Sequence, residues 1–220
     1  MRIPKDEFLH KGLRNKLVIQ LREKGIQDEN VLAAIGVVPR HFFLDSAFDK
    51  IAYEDRAFPI DADQTISQPY TVAYQTELLK IKKGDKVLEI GTGSMYQTTI
   101  LAALGAKVYT IERQQALASK TKGFIFREQY PDVFFFFGDG FLGLPNEAPF
   151  DKIIITAAAP NVPEKLWEQL KVRGIMVIPV DESDGVQRMM RLTKKKDGLA
   201  KKESFEAFSF VPMLGGKEIK

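Results

Sequence analysis

The chain has 220 residues, 45% hydrophobic and 28% charged, which suits one globular domain with a sizeable core and an appended subdomain. A net charge of +3 is too small to imply a nucleic-acid partner, and zero cysteines exclude disulfides, thiolate metal sites and a cysteine nucleophile. Only two histidines occur, His10 and His41, both read as structural and neither offering a metal cage.

Taken in order, the N-terminus Met1-Arg2-Ile3-Pro4-Lys5-Asp6-Glu7 carries charges where a secretory signal needs an apolar core. No apolar run reaches the length of a membrane span, so a cytoplasmic protein without a membrane partner is expected. Leu9, Leu13, Leu17 and Leu21 recur every four residues, with Val18 alongside, and predict an amphipathic helix from Phe8 to Lys24 that Gly25 stops. Asp28 is placed to cap a second short helix through Ile35. Val37-Val38-Pro39-Arg40-His41-Phe42-Phe43 breaks and restarts the chain, and the first fifty residues read as a helical cap. Residues 53–68 look irregular. Pro69 suits the first turn of a helix to Leu79, where its missing N–H would have no partner anyway. Lys82-Lys83-Gly84-Asp85 is a turn.

Alternation then sets in. Strands are predicted at 86–90, 107–111, 133–137, 151–156 and 174–180, with helices at 96–104, 114–129 and 163–170. Strands spaced by helices imply an α/β fold with a mostly parallel, doubly wound, Rossmann-like sheet that binds ligands at the strands' carboxyl ends. Val186–Thr193 and Ser204–Val211 flank Asp197-Gly198 and predict a C-terminal antiparallel hairpin. The lysines at 194–196 read as a solvated turn that blunts a sheet edge.

Chemistry concentrates at the end of the first sheet strand, in Glu89-Ile90-Gly91-Thr92-Gly93-Ser94. Glycines here let backbone approach a ligand where any Cβ would collide. Glu112 ends the second strand, twenty-one residues after Gly91, where a carboxylate can accept both hydroxyls of a ribose; the alternative is an acid stabilising a helix start. Asp139, beside Gly140, lies at the same sheet edge and can accept from the amine of a base, or simply form an Asx turn. Glu89, amid apolar neighbours, needs partners if buried, and is expected to bond the loop or face a cationic end of the cofactor. A dinucleotide site would want a third glycine where Tyr96 stands, so S-adenosylmethionine is favoured over NAD.

These residues resemble the protein-L-isoaspartate O-methyltransferase family. Glu89–Ser94 is similar to its cofactor motif, and Gln64-Thr65-Ile66-Ser67-Gln68-Pro69-Tyr70 to its more specific substrate-binding signature. Gly138-Asp139-Gly140, Thr156-Ala157-Ala158-Ala159-Pro160 and the Val37–Arg40 stretch follow the same pattern, over about residues 8–214. The resemblance implies a class I S-adenosylmethionine-dependent methyltransferase with an N-terminal helical cap. It would methylate the carboxyl of L-isoaspartyl residues in damaged proteins and peptides, as a monomer. It marks Ser67 as the active-site hydroxyl, with Thr65 and Ile66 in the same pocket and Ala157 bordering the substrate. Gly91, Thr92, Gly93 and Gly140 would join Glu89, Glu112 and Asp139 in holding the cofactor. The implied division is 1–80 for cap and substrate segment, 81–214 for the methyltransferase domain and 215–220 for a tail. An isoaspartyl carboxylate, with a pKa near ~4, is already ionised at pH 7, so no general base is needed.

Two places depart from the family. Met95 replaces a usual glycine, and Ile60-Asp61-Ala62-Asp63 lacks a glycine and histidine often found there. A positive φ at Met95 would cost on the order of 1 kcal/mol or more, and an inward side chain would crowd the cofactor. The rival readings are a cofactor-binding adaptor without turnover and a methyltransferase for another carboxylate.

Overall fold

The structure is a computed structural model that describes residues 5–183 and 185–219. Helix α1 (Phe8–Glu23) is followed by α2 (Glu29–Val37), whose N-cap Asp28 accepts from the amides of Asn30 and Val31. Gly25, at φ +100°, ends the first helix as expected. The inward face of α1 differs from the leucine reading. His10, Arg14, Leu17 and Leu21 are buried, whereas Leu9 is 55% exposed. Polar residues hold the inward row because each finds a partner, as set out below.

The irregular segment contains a small antiparallel pair, β1 (Phe58–Pro59) and β2 (Thr65–Ile66), that the sequence reading left without structure. Helix α3 (Pro69–Leu79) has the predicted bounds. Then come β3 (Lys86–Ile90), α4 (Tyr96–Ala103), β4 (Lys107–Glu112), α5 (Gln115–Lys120), β5 (Val133–Phe137), β6 (Phe150–Ile155), α6 (Glu164–Gln169), β7 (Leu170–Asp181), β8 (Gln187–Lys194) and β9 (Ala200–Phe208). The seven-stranded sheet has the order β5-β4-β3-β6-β7-β8-β9, its first five strands mutually parallel and β8 and β9 antiparallel. Strand order therefore reverses between β3 and β6, and a crevice opens outside their carboxyl ends.

Period-two alternation places successive side chains on opposite faces. Leu88 and Ile90 pack with Ile153, Met176 and Ile178 on one face. Val87 packs with Val108, Ile154 and Val177 against α3 and α4 on the other. The cap joins that second layer: Leu17, Leu21 and Ile35 share a cluster with Val72, Ala73, Tyr96 and Ile100.

Three further elements differ from expectation. The helix predicted over 114–129 ends at Lys120 and passes into a 3-10 turn, Thr121–Gly123. Thr121 and Gly123 are poor helix formers, and leaving the helix lets Phe126 stack on Phe42 and Phe43 of the cap. In the hairpin, Gly198 at φ +83° and a Leu199–Lys195 bond make the turn tight, so the last strand begins at Ala200 rather than Ser204. Lys194 is half-buried rather than free in solvent: its Nζ donates to the Trp167 and Leu170 carbonyls, 2.8 and 2.9 Å, at the end of α6. Lys195 and Lys196 are exposed as expected. No described helix is long and apolar enough to cross a membrane.

Under α1 the two histidines stack, with ring centroids 3.8 Å apart. Their tautomers follow from their neighbours. The Glu7 amide donates to His10 Nδ1, so Nε2 carries the proton and donates to Asp49 (3.1 Å). The Lys5 carbonyl can only accept, so His41 Nε2 donates to it, and His41 Nδ1 accepts from the Tyr53 hydroxyl (2.7 Å). Arg14 donates to Tyr53 and grips Asp6 with two nitrogens. Asp6, His10 and His41 are close enough to suggest a metal site, but both imidazole lone pairs are already used.

Burial holds the His41 imidazole below its ordinary pKa. The unfolded chain binds that proton first, so stability falls as pH drops through about 6.5, the unfolded value, and levels off below the folded one. His41→Phe keeps a ring and cannot titrate. Urea unfolding at pH 7.5 and 5.5 should show a smaller acid loss in the variant, although the Tyr53 hydroxyl, left without an acceptor for its proton, lowers stability at both. Parallel pH dependences in the two proteins would contradict this.

Candidate active site

Strand β3 ends in a loop tied to both neighbouring strands. The Gly91 amide donates to Ile111 and the Thr156 amide to Ile90. The Thr156 hydroxyl lies 2.9 Å from both the Ile90 and Gly91 carbonyl oxygens. Gly91 has φ +96°, and a Cβ there would meet Thr156 Oγ1 at 2.5 Å, so only glycine fits. Glu112, at the end of β4, is 5% exposed and holds two backbone amides, one on each oxygen: Gly93 (2.9 Å) and Gln114 (2.9 Å). Its remaining lone pairs can accept further hydroxyls. Thr92 bonds Thr110 through the hydroxyls, 2.7 Å apart.

Above this loop is a pocket of about 890 Å³, solvent mouth included, a volume suited to a nucleoside-sized ligand. Its walls include Thr65, Ile66 and Ser67 on one side, Gly91, Thr92, Gly93 and Glu112 on the floor, and Gly140 and Ala157 opposite. A second, outer groove runs along Tyr70, Glu206, Phe208 and Phe210. The two depressions share Thr65, Ser67, Thr156 and Val211, so Ser67 stands where they meet. Thr65 is exposed, Ile66 is 2% exposed, and the Ser67 carbonyl accepts from Arg40 Nη2 (2.8 Å).

Two predicted cofactor residues lie off these walls. Glu89 projects to the opposite side of β3, where it is fully buried and accepts from the Thr98 hydroxyl (2.5 Å), with Oε1 unpartnered. Burial pushes its carboxyl up to about 8. Asp139 forms the Asx turn that was its alternative: Oδ1 accepts from Phe141 and Oδ2 from Gly216. It thereby ties the C-terminal segment to the site. Gly140 itself reaches the pocket, and a Cβ there would lie 2.5 Å from Ile90. The reading of the sequence missed that Val211, Pro212, Met213 and Leu214 form a wall, held by bonds between the Ala158 backbone and Val211 and Met213. Tyr96 and Gln97, at the start of α4, also line the pocket and were missed; helix position alone gave no sign of it.

Met95 has φ +72°, so the strained conformation is present. Its side chain packs into the cluster holding Leu101 and Phe124, away from the pocket, and does not line it. Methionine therefore costs stability without crowding the crevice. At ordinary helical φ alanine outranks glycine; at position 95 the order should invert. Met95→Gly is expected to be about 1 kcal/mol more stable than Met95→Ala in denaturant unfolding, both losing the same packing. An alanine variant equal to or more stable than the glycine one would contradict the left-handed assignment.

The protein-L-isoaspartate(D-aspartate) O-methyltransferase family model matches residues 12–218. A protein-L-isoaspartate O-methyltransferase of Christiangramia forsetii is 56% identical over 213 residues, covering 97% of this chain and 99% of its own. One of Flavobacterium psychrophilum is 54% identical over the same coverage. Among solved structures, a protein-L-isoaspartate O-methyltransferase superposes with TM-score 0.82 at 28% identity, over 92% of this chain and 66% of that one. A Plasmodium falciparum structure described as such a methyltransferase, in complex with S-adenosyl-L-homocysteine, gives TM-score 0.78 at 25% identity, over 94% of this chain and 99% of that one. With the family pattern matched along nearly its whole length, the chain belongs to the protein-L-isoaspartate(D-aspartate) O-methyltransferase family.

Proposed function

We propose that this protein transfers a methyl group from S-adenosylmethionine to the side-chain carboxyl of L-isoaspartyl residues in damaged proteins and peptides. The observation that carries the reading is the meeting of a nucleoside-sized pocket with an open groove at Ser67. One depression suits a donor, the other an extended polypeptide, and only their junction touches both.

The residues fit the cofactor. Gly91 and Gly140 let the pocket's backbone sit against Thr156 and Ile90 closer than any Cβ would allow. Glu112 would hold the ribose hydroxyls on its free lone pairs, with Gly91, Thr92 and Gly93 along the amino-acid end and Gly140 beside the purine. When bound, S-adenosylmethionine supplies a methyl carbon on a positively charged sulfur, which a carboxylate oxygen displaces as a neutral thioether with no proton to move. The chain's task is then alignment and exclusion of water. Well-oriented reactants gain roughly 7–11 kcal/mol in this way. Ser67 can donate one hydrogen bond to the acceptor carboxylate and orient it, with Thr65, Ile66 and the Ala157 backbone closing the seat. Among the residues lining the groove, Glu206 is the single acidic or basic side chain, and Arg113 of the donor pocket is engaged by the Gly215 and Gly216 carbonyls, so neither wall aims a free cation at the nucleophile. The adaptor alternative drew on Met95, whose side chain leaves the pocket clear. The reading includes a monomeric, cytoplasmic enzyme acting on polypeptides.

Purified protein should methylate an isoaspartyl peptide and leave its aspartyl twin unlabelled; equal labelling of the two would refute the specificity. Ser67→Ala should lower kcat/KM for the isoaspartyl peptide by roughly 10- to 100-fold, the loss expected for one bond to a charged group, with S-adenosylhomocysteine affinity nearly unchanged. An unaltered kcat/KM would remove Ser67 from the site.

A further inference from the structure

The Val37–Arg40 stretch is part of the family pattern, and its last residue reaches from the cap to the site. Arg40 is fully buried and is among the largest buried side chains of the chain. Its Nε donates to Ala52 (3.1 Å), and its Nη2 to Ser67 (2.8 Å) and Arg56 (3.4 Å). The guanidinium carbon lies 4.8 Å from the centroid of the Tyr96 ring. Burial lowers its pKa to about 10, so it stays cationic at neutral pH.

This is a costly way to fill a core. The partners are carbonyls and the Tyr96 side chain rather than a carboxylate, and Nη1 makes no hydrogen bond of ordinary length and angle. For stability alone, an apolar side chain of similar volume would serve as well or better. An apolar side chain cannot grip the Ser67 carbonyl while stacking on Tyr96. Those two contacts join different parts of the site through one side chain. Ser67 belongs to the acceptor junction, and Tyr96 lines the donor pocket and opens α4. Arginine's planar, rigid fork suits a clamp that bonds along its edge and stacks on its face.

We infer that Arg40 is a positioning residue that sets the distance between the acceptor seat at Ser67 and the donor seat beside Tyr96. The inference rests on the methyl-transfer reading above. In-line displacement is sensitive to such spacing, and a misplacement of about 1 Å can cost ~10²-fold in rate.

The test compares Arg40→Lys, which keeps the charge but not the fork, with Arg40→Gln, which keeps some hydrogen bonding without charge. Each is measured for melting temperature, S-adenosylhomocysteine affinity, kcat and KM with an isoaspartyl peptide, and amide exchange over residues 64–68. Both should lose kcat by roughly 30- to 100-fold while cofactor affinity changes less than about threefold. Exchange over 64–68 should quicken while that of β3 stays as in the wild type. A folded Arg40→Lys protein with wild-type kcat would overturn the role. So would a uniform rise in exchange with kcat unchanged, or failure of both variants to fold, since each assigns Arg40 to stability alone. Locally faster exchange in a protein whose wild type methylates no isoaspartyl peptide would instead sink the reading of Ser67 as acceptor seat, and this role with it.

Discussion

Bare backbone at the point where strand order reverses is the constraint on which the rest depends. Between β3 and β6 the chain must turn out of the sheet with room left above it. Gly91 does so at φ +96°, close enough to Thr156 that any side chain would collide. The Thr156 hydroxyl then spans the Ile90 and Gly91 carbonyls, and Glu112 pins the Gly93 amide from the other side. The floor of the pocket is thus made of peptide groups held by both neighbouring strands. A ligand resting there meets fixed dipoles rather than mobile side chains, so little reorganisation is left to do during reaction.

Behind that floor the usual rules of satisfaction are relaxed. Among the described residues, the buried side-chain atoms that make no hydrogen bond of ordinary length and angle are Arg40 Nη1, Glu89 Oε1, the Tyr96 hydroxyl and Gln97 Oε1. Tyr96 and Gln97 open α4, Glu89 lies one strand turn behind the loop, and Arg40 stacks on Tyr96. Met95, in the left-handed conformation, adds strain at the same helix start. Local conflicts of this kind gather at functional sites, where geometry for a ligand outweighs stability. The cap supplies the counterweight. Its helices bury a continuous cluster against α3 and α4, so the strained turn is clasped from outside as well as from the sheet.

Much of this was legible in the residues. Short, mostly apolar runs at Val87–Ile90, Val108–Ile111 and Ile153–Ile155, spaced by helical segments, mark strands buried on both faces, and Pro69 marked a helix start to the residue. Gly91 and Glu112 were visible because their spacing follows from the width of one strand–helix–strand unit. Other features depend on contacts distant in sequence. Nothing local shows that Val211–Leu214 returns to wall the pocket, or that Asp139 spends its carboxylate on Gly216. His10 and Arg14 outrank Leu9 on the inner face of α1 because Asp49, Asp6 and Tyr53 await them. The missing glycines are equally instructive. Met95, and Ala62 and Asp63 in the other departing stretch, all take positive φ, so the backbone conformation persists where the residue that usually signals it does not.

The central claim is that S-adenosylmethionine seats against the bare backbone at Gly91. Titration calorimetry with S-adenosylhomocysteine, on wild type and on a folded Gly91→Ala variant, tests it most directly. The account predicts saturable binding to the wild type and a loss of at least about 10-fold in the variant, because the loop must shift to clear Thr156 and the pocket floor moves with it. Equal affinity in the two proteins, or no binding to the wild type, would contradict it.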